Sequence, residues 1–263
     1  MAGVTFDQGT QITITNPSSS GTVTLTLSAG AQLYAAIKNT SSQTVSAITF
    51  DSVALTLFNT YNTYPVYRLT NPTTGSAKTF SVTMNTNVGA GTIVEVAIWS
   101  VTGNDTTNPV NASGSGSGGS TQTINITPTV ANSLLISMAY AASISSPTIG
   151  GSQTSFASGN RGAGTDEFRG TYKKVSVIQA ETMTYGQSGG GSWSDGFAIA
   201  MSPINTSVTV SDTTSTSDSE LGNIAGIASD SVSLVESETA TVDGNTWRTP
   251  SRNSESWNNQ TKS

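Results

Sequence analysis

Apolar residues alternate with threonine or serine along much of this chain, and the alternation leaves few folds open to it. It runs over residues 12–15, 23–27 and 80–84, where Ile, Val, Leu, Phe or Met alternate with Thr or Ser. Successive side chains of a strand point to opposite faces, so each segment predicts a strand with one buried face and one hydroxyl-bearing face. Two further segments, 92–99 and 133–142, are largely apolar. The second is long enough for a short helix, but Ser137 and the surrounding β segments favour a strand covered on both faces.

Short strands separated by turn residues predict a sandwich of antiparallel sheets. Further strands are expected at 32–38, 46–50, 53–58, 64–69, 121–127, 171–179 and 196–202. Clusters of Gly, Pro, Asn and Asp at 71–75, 88–91 and 104–109 have the chemistry of turns. No convincing amphipathic helix interrupts the series. The sequence therefore predicts an all-β protein built as an antiparallel two-sheet sandwich that is jelly-roll-like.

A change of composition near residue 204 divides the chain. Residues 1–204 are nearly neutral, whereas residues 205–263 carry −5 of the formal net charge of −6. We therefore predict a β-sandwich domain over 1–204 and an extended acidic tail over 205–263. Within the domain, "NASGSGSGGS" (111–120) has the composition of a flexible linker. Because neither side of it holds enough recognised strands to close a core, we interpret it as a surface loop of one sandwich that uses strands from both sides.

Composition excludes several classes of function. Charged residues are 10% of the chain and the formal net charge is −6, which disfavours a nucleic-acid partner because phosphate binding needs clustered lysine and arginine. The chain has no cysteine and no histidine, so the commonest general base and metal ligand are missing, and no cofactor is expected. No apolar run approaches the roughly 18 residues of a membrane span. The first residues do not read as a secretion signal, so we expect synthesis in a cytoplasm without a cleaved leader.

The only adjacent acids of residues 1–204 are Asp166 and Glu167. They lie in "NRGAGTDEFRG" (160–170), together with Arg161 and Arg169. A solvated loop with local ion pairs explains them. The alternative is weak binding of calcium, which favours clustered carboxylates and carbonyls, although the D-x-D-x-D-G spacing of a strong calcium loop is absent.

Four aromatic residues are candidates for contact with a glycan: Trp193, Tyr185, Tyr61 and Tyr64. An exposed ring can stack on a sugar, and tyrosine beside Asn and Thr is typical of adaptable recognition surfaces. The alternatives are a tryptophan that plugs the end of the sandwich and tyrosines that form cross-strand pairs. A carbohydrate-binding adhesion module therefore stays open, whereas a polysaccharide-cleaving enzyme needs a carboxylate pair that the sequence does not reveal.

Four segments follow one recognisable order of strands and turns. "VSAITFDSVALT" (45–56) precedes "VYRLTNPTTGSAKTFSVTM" (66–84), which combines an aromatic strand, an Asn-Pro turn and an alternating strand. "AIWSVTGNDTTNPV" (97–110) and "FAIAMSPI" (197–204) supply a later segment and a closing strand. Over about two thirds of its length the chain thus resembles a β-sandwich domain recurrent in structural proteins of tailed bacteriophages. The family pattern has two glycines where Asp51-Ser52 stands here.

The chain ends on two copies of a polar repeat, "NTWRTPSRNS" and "ESWNNQTKS". Trp247 aligns with Trp257, and Arg252 aligns with Lys262. Each copy keeps one aromatic residue and one cation, so we predict that these four residues anchor the tail to a neighbouring subunit or to another virion protein. The repeat also resembles short repeats of phage tail-region proteins.

Both resemblances imply a non-enzymatic component of a virion, displayed on the outside of a tailed phage. The expected role is a capsid decoration protein or a tail or fibre subunit. The expected partners are further copies of the chain, with a trimer as the first expectation, and other virion proteins.

Overall fold

The structure of the protein, a computed structural model, describes residues 3–144, 146–160 and 165–204, and two short strands at 240–242 and 245–247. The chain groups into two compact units, Met1–Asn205 and Thr206–Ser263. The regular elements of the described residues are all strands, so the all-β prediction is confirmed. None of these residues belongs to a helix that could cross a membrane.

The first half of the larger unit contains nine strands in two antiparallel sheets. They are β1 (Thr5–Thr15), β2 (Ser20–Leu25), β3 (Gln32–Asn39), β4 (Val45–Phe50), β5 (Val53–Ala54), β6 (Thr56–Tyr61), β7 (Tyr64–Leu69), β8 (Lys78–Met84) and β9 (Ile93–Thr102). One sheet has the order β1-β9-β3-β7-β6 and the other has the order β2-β8-β4-β5. They share an apolar core that includes Ile14, Leu33, Phe50, Phe80 and Val96.

The second half contains eight strands, again in two antiparallel sheets. They are β10 (Val110–Ser117), β11 (Thr121–Ile126), β12 (Ser133–Ile144), β13 (Pro147–Ile149), β14 (Thr154–Asn160), β15 (Thr165–Val175), β16 (Glu181–Gln187) and β17 (Ser192–Met201). The sheet orders are β10-β17-β12-β15-β14 and β11-β16-β13. Their own core includes Ile124, Leu135, Met183, Tyr185 and Trp193.

The two halves repeat one strand order. Replacing β1, β9, β3, β7 and β6 by β10, β17, β12, β15 and β14 converts the first five-stranded sheet into the second. The irregularities recur as well, because the register shifts after Phe6 in β1 and after Val110 in β10, and at Phe58 in β6 and Phe156 in β14. Each half is therefore a jelly roll, in which the chain passes between two facing sheets.

The two jelly rolls pack on each other through their five-stranded sheets. A third core fills this middle layer and includes Tyr34, Trp99, Phe168 and Phe197, all fully buried. β9 and β12 are consequently covered on both faces. For β12 this confirms the prediction made from the apolar sequence of 133–142. The four sheets form one stack, with the two smaller sheets outside.

Residues 1–204 form two sandwiches, so the expectation that neither half closes a core is wrong. The "NASGSGSGGS" stretch, interpreted as a surface loop, is mostly strand β10, which pairs with β17 at a sheet edge. Its glycines have a packing reason. A Cβ on Gly114 would overlap the carbonyl oxygen of Asn125. A Cβ on Gly116 would lie 2.9 Å from the carbonyl oxygen of Thr123. β11 therefore approaches β10 so closely that a side chain on either glycine has no room.

Candidate functional site

Trp193 and Tyr185 lie inside the second jelly roll. Both side chains are fully buried, and their ring centroids are 5.3 Å apart. The Tyr185 hydroxyl donates to Oγ of Ser137 at 2.9 Å and lies 2.9 Å from Oγ1 of Thr171. Burial raises the pKa of Tyr185, so its hydroxyl stays protonated. Trp193 and Tyr185 hold the sandwich together from within and offer no ring face to a sugar.

Tyr64 and Tyr61 belong to the middle layer between the jelly rolls. Tyr64 is fully buried and its ring centroid lies 5.1 Å from that of Phe197. Tyr61 stacks on the same phenylalanine at 5.5 Å but keeps part of its surface exposed. The glycan platform predicted from four aromatic residues therefore does not form, because three of the four rings are buried. Tyr61 alone keeps surface for a ligand.

A polar network joins the two jelly rolls at one end of the middle layer. Lys38 of β3 forms an ion pair with Asp195 of β17, and its Nζ also donates to Oγ1 of Thr63 at 3.1 Å. The Tyr64 hydroxyl donates to Oδ1 of Asp195 at 2.5 Å. The Lys38 ammonium also lies 5.0 Å from the ring centroid of Tyr140. Burial and the nearby Asp195 carboxylate raise the pKa of Tyr64, which keeps its hydroxyl a donor.

Neither Lys38 nor Asp195 stands out in the sequence. The two residues are 157 positions apart, and each belongs to a strand without a motif. The sequence offers one signal of such a residue: a single charged side chain at a strand position where the alternation predicts a buried side chain. Such a charge needs a partner, since an unpaired buried charge is costly. The partner itself follows only from the stacking of the two sheets.

Glu167 is buried in β15, and its carboxylate Oε1 lies 2.6 Å from Nε of Arg169. Burial raises the pKa of Glu167, while the guanidinium of Arg169 opposes this shift. The side chain of its neighbour Asp166 lies outside the described residues. Within the described part of the chain no group of three or more acidic residues could hold a metal ion. Glu167 thus forms the expected local ion pair, but as a buried strand residue.

The predicted anchors of the tail lie mostly outside the described residues. Ala240–Val242 forms β18 and Asn245–Trp247 forms β19, an antiparallel pair. The backbone of Trp247 ends β19, and its side chain is not described. Arg252, Trp257 and Lys262 fall outside the described ranges altogether. The anchoring role of these four residues stays a prediction.

A groove of about 400 Å³ opens at the surface between β6 of the first jelly roll and β10 of the second. Its walls come from both edge strands and from the loop before β10. We call it the seam groove, and it is lined by Phe58, Asn59, Tyr61, Thr107, Asn108, Pro109, Val110, Asn111, Ala112 and Ser113. Its volume lies within the roughly 300–1,000 Å³ of small-molecule sites.

The lining of the seam groove combines two aromatic rings with amide and hydroxyl groups. Burial raises the pKa of Tyr61, against an opposing hydrogen bond from Asn59, so the phenol is neutral at pH 7. Behind the lining, Arg68 donates to the carbonyl oxygen of Thr106 at 2.6 Å and lies 5.7 Å from the ring centroid of Phe58. Arg68 therefore ties the loop that forms one wall to the strand that forms the other.

Comparison with models of protein families, with curated proteins and with solved structures finds no match for this chain. Fold alone does not define a function, because jelly rolls serve in capsids, lectins and enzymes alike. The chemistry of the described sites and surfaces must therefore carry any functional conclusion.

Proposed function

We propose that this chain is a non-enzymatic structural protein on the exterior of a tailed-phage virion, as a capsid decoration protein or a tail or fibre subunit. The observation that carries the proposal is the four-sheet stack with hydroxyl-bearing outer faces. Thr22 and Thr24 of β2 and Thr121 and Thr123 of β11 are exposed on these faces. Contacts made by hydroxyl groups depend little on salt, which suits a particle that meets varied media.

The turn between β4 and β5 also agrees with the family pattern. Asp51 and Ser52 have φ values of 50° and 65°, the left-handed region that glycine enters most easily. Two central residues of positive φ define a type I′ hairpin turn, where glycine pairs are common. The two family glycines would thus fit the backbone found here. This agreement supports the resemblance by local geometry.

The proposed partners are further copies of the chain, a trimer first, and other virion proteins. The tail would contact a neighbouring subunit or another virion protein through Trp247, Arg252, Trp257 and Lys262. Replacing both tryptophans with alanine should leave the larger unit folded and reduce incorporation into particles. Replacing both with phenylalanine is the matched control, because it keeps an aromatic ring at each anchor.

The test is the location of the chain in particles purified from a phage that encodes it. We expect mass spectrometry to find the chain in intact virions and antibodies to label it on their outside by electron microscopy. A chain that is absent from purified virions contradicts the proposal. Light scattering of the purified protein measures the oligomer independently, and a strict monomer removes the trimer.

The seam groove favours a second candidate function, that of a carbohydrate-binding adhesion module. An open groove with Phe58, Tyr61 and several amides has the mixture of ring faces and hydrogen-bonding groups that sugars require. Binding of the purified chain to a glycan array would favour this function. Turnover of a polysaccharide would instead indicate an enzyme.

A further inference from the structure

The seam groove has a counterpart on the opposite side of the middle layer. The repeated strand order equates β6 with β14 and β10 with β1. We call the meeting of β6 with β10 the open seam and that of β1 with β14 the closed seam. Phe6 pairs with Val101 on β9, and Val110 pairs with Met201 on β17, in each case immediately before a bulge. Val110 is therefore the counterpart of Phe6. The two seams can therefore be compared residue by residue.

Aromatic rings fill the closed seam. Phe6 stacks on Tyr172 with centroids 4.0 Å apart and planes inclined by 7°, and it lies 5.3 Å from Phe156. A Cβ on Gly9 would lie 2.9 Å from Cβ of Phe156, so the backbone of β1 lies against this ring. Oε1 of Gln11 accepts a hydrogen bond from the backbone N–H of Ser158. These contacts join β1 directly to β14 and β15.

Smaller and polar residues occupy the same positions at the open seam. Val110 stands in place of Phe6, and Arg68 stands in place of Tyr172, because each pairs with the corresponding residue of the central strand. Phe58 stands at the bulge where the other half has Phe156. The ring stack of the closed seam thus has no equivalent here. Two of the corresponding positions, Phe58 and Val110, line the seam groove instead.

We propose that the seam groove binds an uncharged oligosaccharide. The exposed surfaces of Phe58 and Tyr61 can pack against the C–H face of a sugar ring. Asn59, Asn108 and the hydroxyls of the lining can donate to and accept from sugar hydroxyls. None of the described residues that line the groove carries an ionised side chain at pH 7. The nearby Arg68 lies behind Phe58 and donates to the carbonyl oxygen of Thr106, so the lining itself favours an uncharged sugar. This proposal rests on the second candidate function, carbohydrate binding, and gives it a location. It holds whether or not the protein is part of a virion.

The test begins with the full chain on an array of neutral and acidic oligosaccharides. We expect retention of at least one neutral series built from glucose, galactose or N-acetylglucosamine. Calorimetric titration with the best neutral tetrasaccharide of that series then gives the affinity. Tyr61→Ala should weaken binding by about tenfold, the loss of one ring contact. Thr60→Ala, an exposed neighbour on the same strand that does not line the groove, should bind like the unchanged chain.

Val110→Phe provides the sharper variant, because it places the ring of the closed seam into the open one. This variant should reduce the affinity for the tetrasaccharide by about tenfold or more, while its unfolding temperature stays the same or rises. If the Val110→Phe variant does not fold, Asn108→Ala in the exposed loop takes its place and should likewise weaken binding.

Three results would overturn the proposal: no neutral oligosaccharide is bound, only acidic ones are bound, or Tyr61→Ala and Asn108→Ala both bind normally. Incorporation of Tyr61→Ala into particles is measured in parallel. Lost sugar binding with normal incorporation separates this site from the structural role.

Discussion

The two jelly rolls share a strand order but bury their polar groups in different places. In the second, a hydrogen-bonded series from Gln153 through Thr171 and Tyr185 to Ser137 runs inside its own core. In the first, Gln32 donates to the carbonyl oxygen of Asn104 at 2.6 Å and accepts from Tyr34, which belongs to the middle layer. The series of the second half thus lies within its own core, whereas that of the first half reaches the layer shared by the two halves.

This difference shows that the jelly-roll topology does not depend on which side chains fill a core. The shared features are the alternation of inward and outward residues and the positions of turns and bulges, which set register and strand order. Core residues can vary between halves if volume and hydrogen bonding are satisfied. The same freedom lets one seam close and the other open.

Trp99→Ala should have the largest effect, because the middle layer belongs to both halves. Trp99 is fully buried, and the loss of its ring should lower the free energy of unfolding by about 3–5 kcal/mol. We expect one cooperative transition in urea, shifted as a whole, for the variant and for the unchanged chain. Two separate transitions would show that the jelly rolls are stable independently. Trp99→Phe, which keeps an aromatic ring in the same layer, is the control and should cost less.

Phe6→Ala and Val110→Ala compare the two seams directly. Phe6 is partly buried between Tyr172 and Phe156, so its removal should cost about 2–3 kcal/mol. Val110 packs at the open seam, and its removal should cost about 1 kcal/mol or less. Chemical denaturation of both variants measures the difference. Equal losses would contradict the view that only one seam is filled.

Asp195→Asn tests the polar network that joins the halves. The change removes the charged partner that Asp195 provides for the Lys38 ammonium, whose side chain is only 11% exposed, and should cost about 2 kcal/mol. Asp51→Asn is the matched control, because Asp51 forms an exposed ion pair with Lys78 and asparagine keeps its left-handed backbone. Thermal unfolding should separate Asp195→Asn from the unchanged chain and leave Asp51→Asn close to it. Indistinguishable melting of the two variants would argue against a stabilising network.

Glu181→Gln should produce the smallest effect, and one that depends on pH. Burial alone would raise the pKa of Glu181, but hydrogen bonds from Gln179 and Lys173 and the charge of Lys173 outweigh it and lower this pKa below its ordinary value of 4.5. A carboxylate with a lowered folded pKa stabilises the fold above the unfolded value and loses that contribution as pH falls through the folded pKa. The variant should therefore lose about 0.5–1 kcal/mol at pH 7 and match the unchanged chain at pH 2.

The comparison of urea midpoints at these two pH values checks the sign. A difference that persists unchanged at pH 2 would show that packing, and not the ionised carboxylate, is responsible.

Much of the strand content is predictable from the sequence. The alternation over 23–27 and 80–84 corresponds to β2 and β8, and the largely apolar 133–142 to the doubly covered β12. β16 (Glu181–Gln187) was not among the predicted strands, although Met183 and Tyr185 alternate with threonine there. β10 could not be predicted from composition, because alternating glycine and serine is also the pattern of a flexible linker.

The sequence by itself determined which faces of the strands are buried, because side-chain period and hydrophobicity act over neighbouring residues only. Tertiary structure decided what lies against those faces. It placed Trp193 inside a core, brought Lys38 to Asp195, and required glycine at Gly114 because β11 passes over it. Tertiary structure also left one seam open. Phe6 meets the ring of Tyr172 on the opposite strand, whereas Val110 lines a groove. Contacts between residues far apart in the chain leave no local pattern, so they emerge only when the sheets pack.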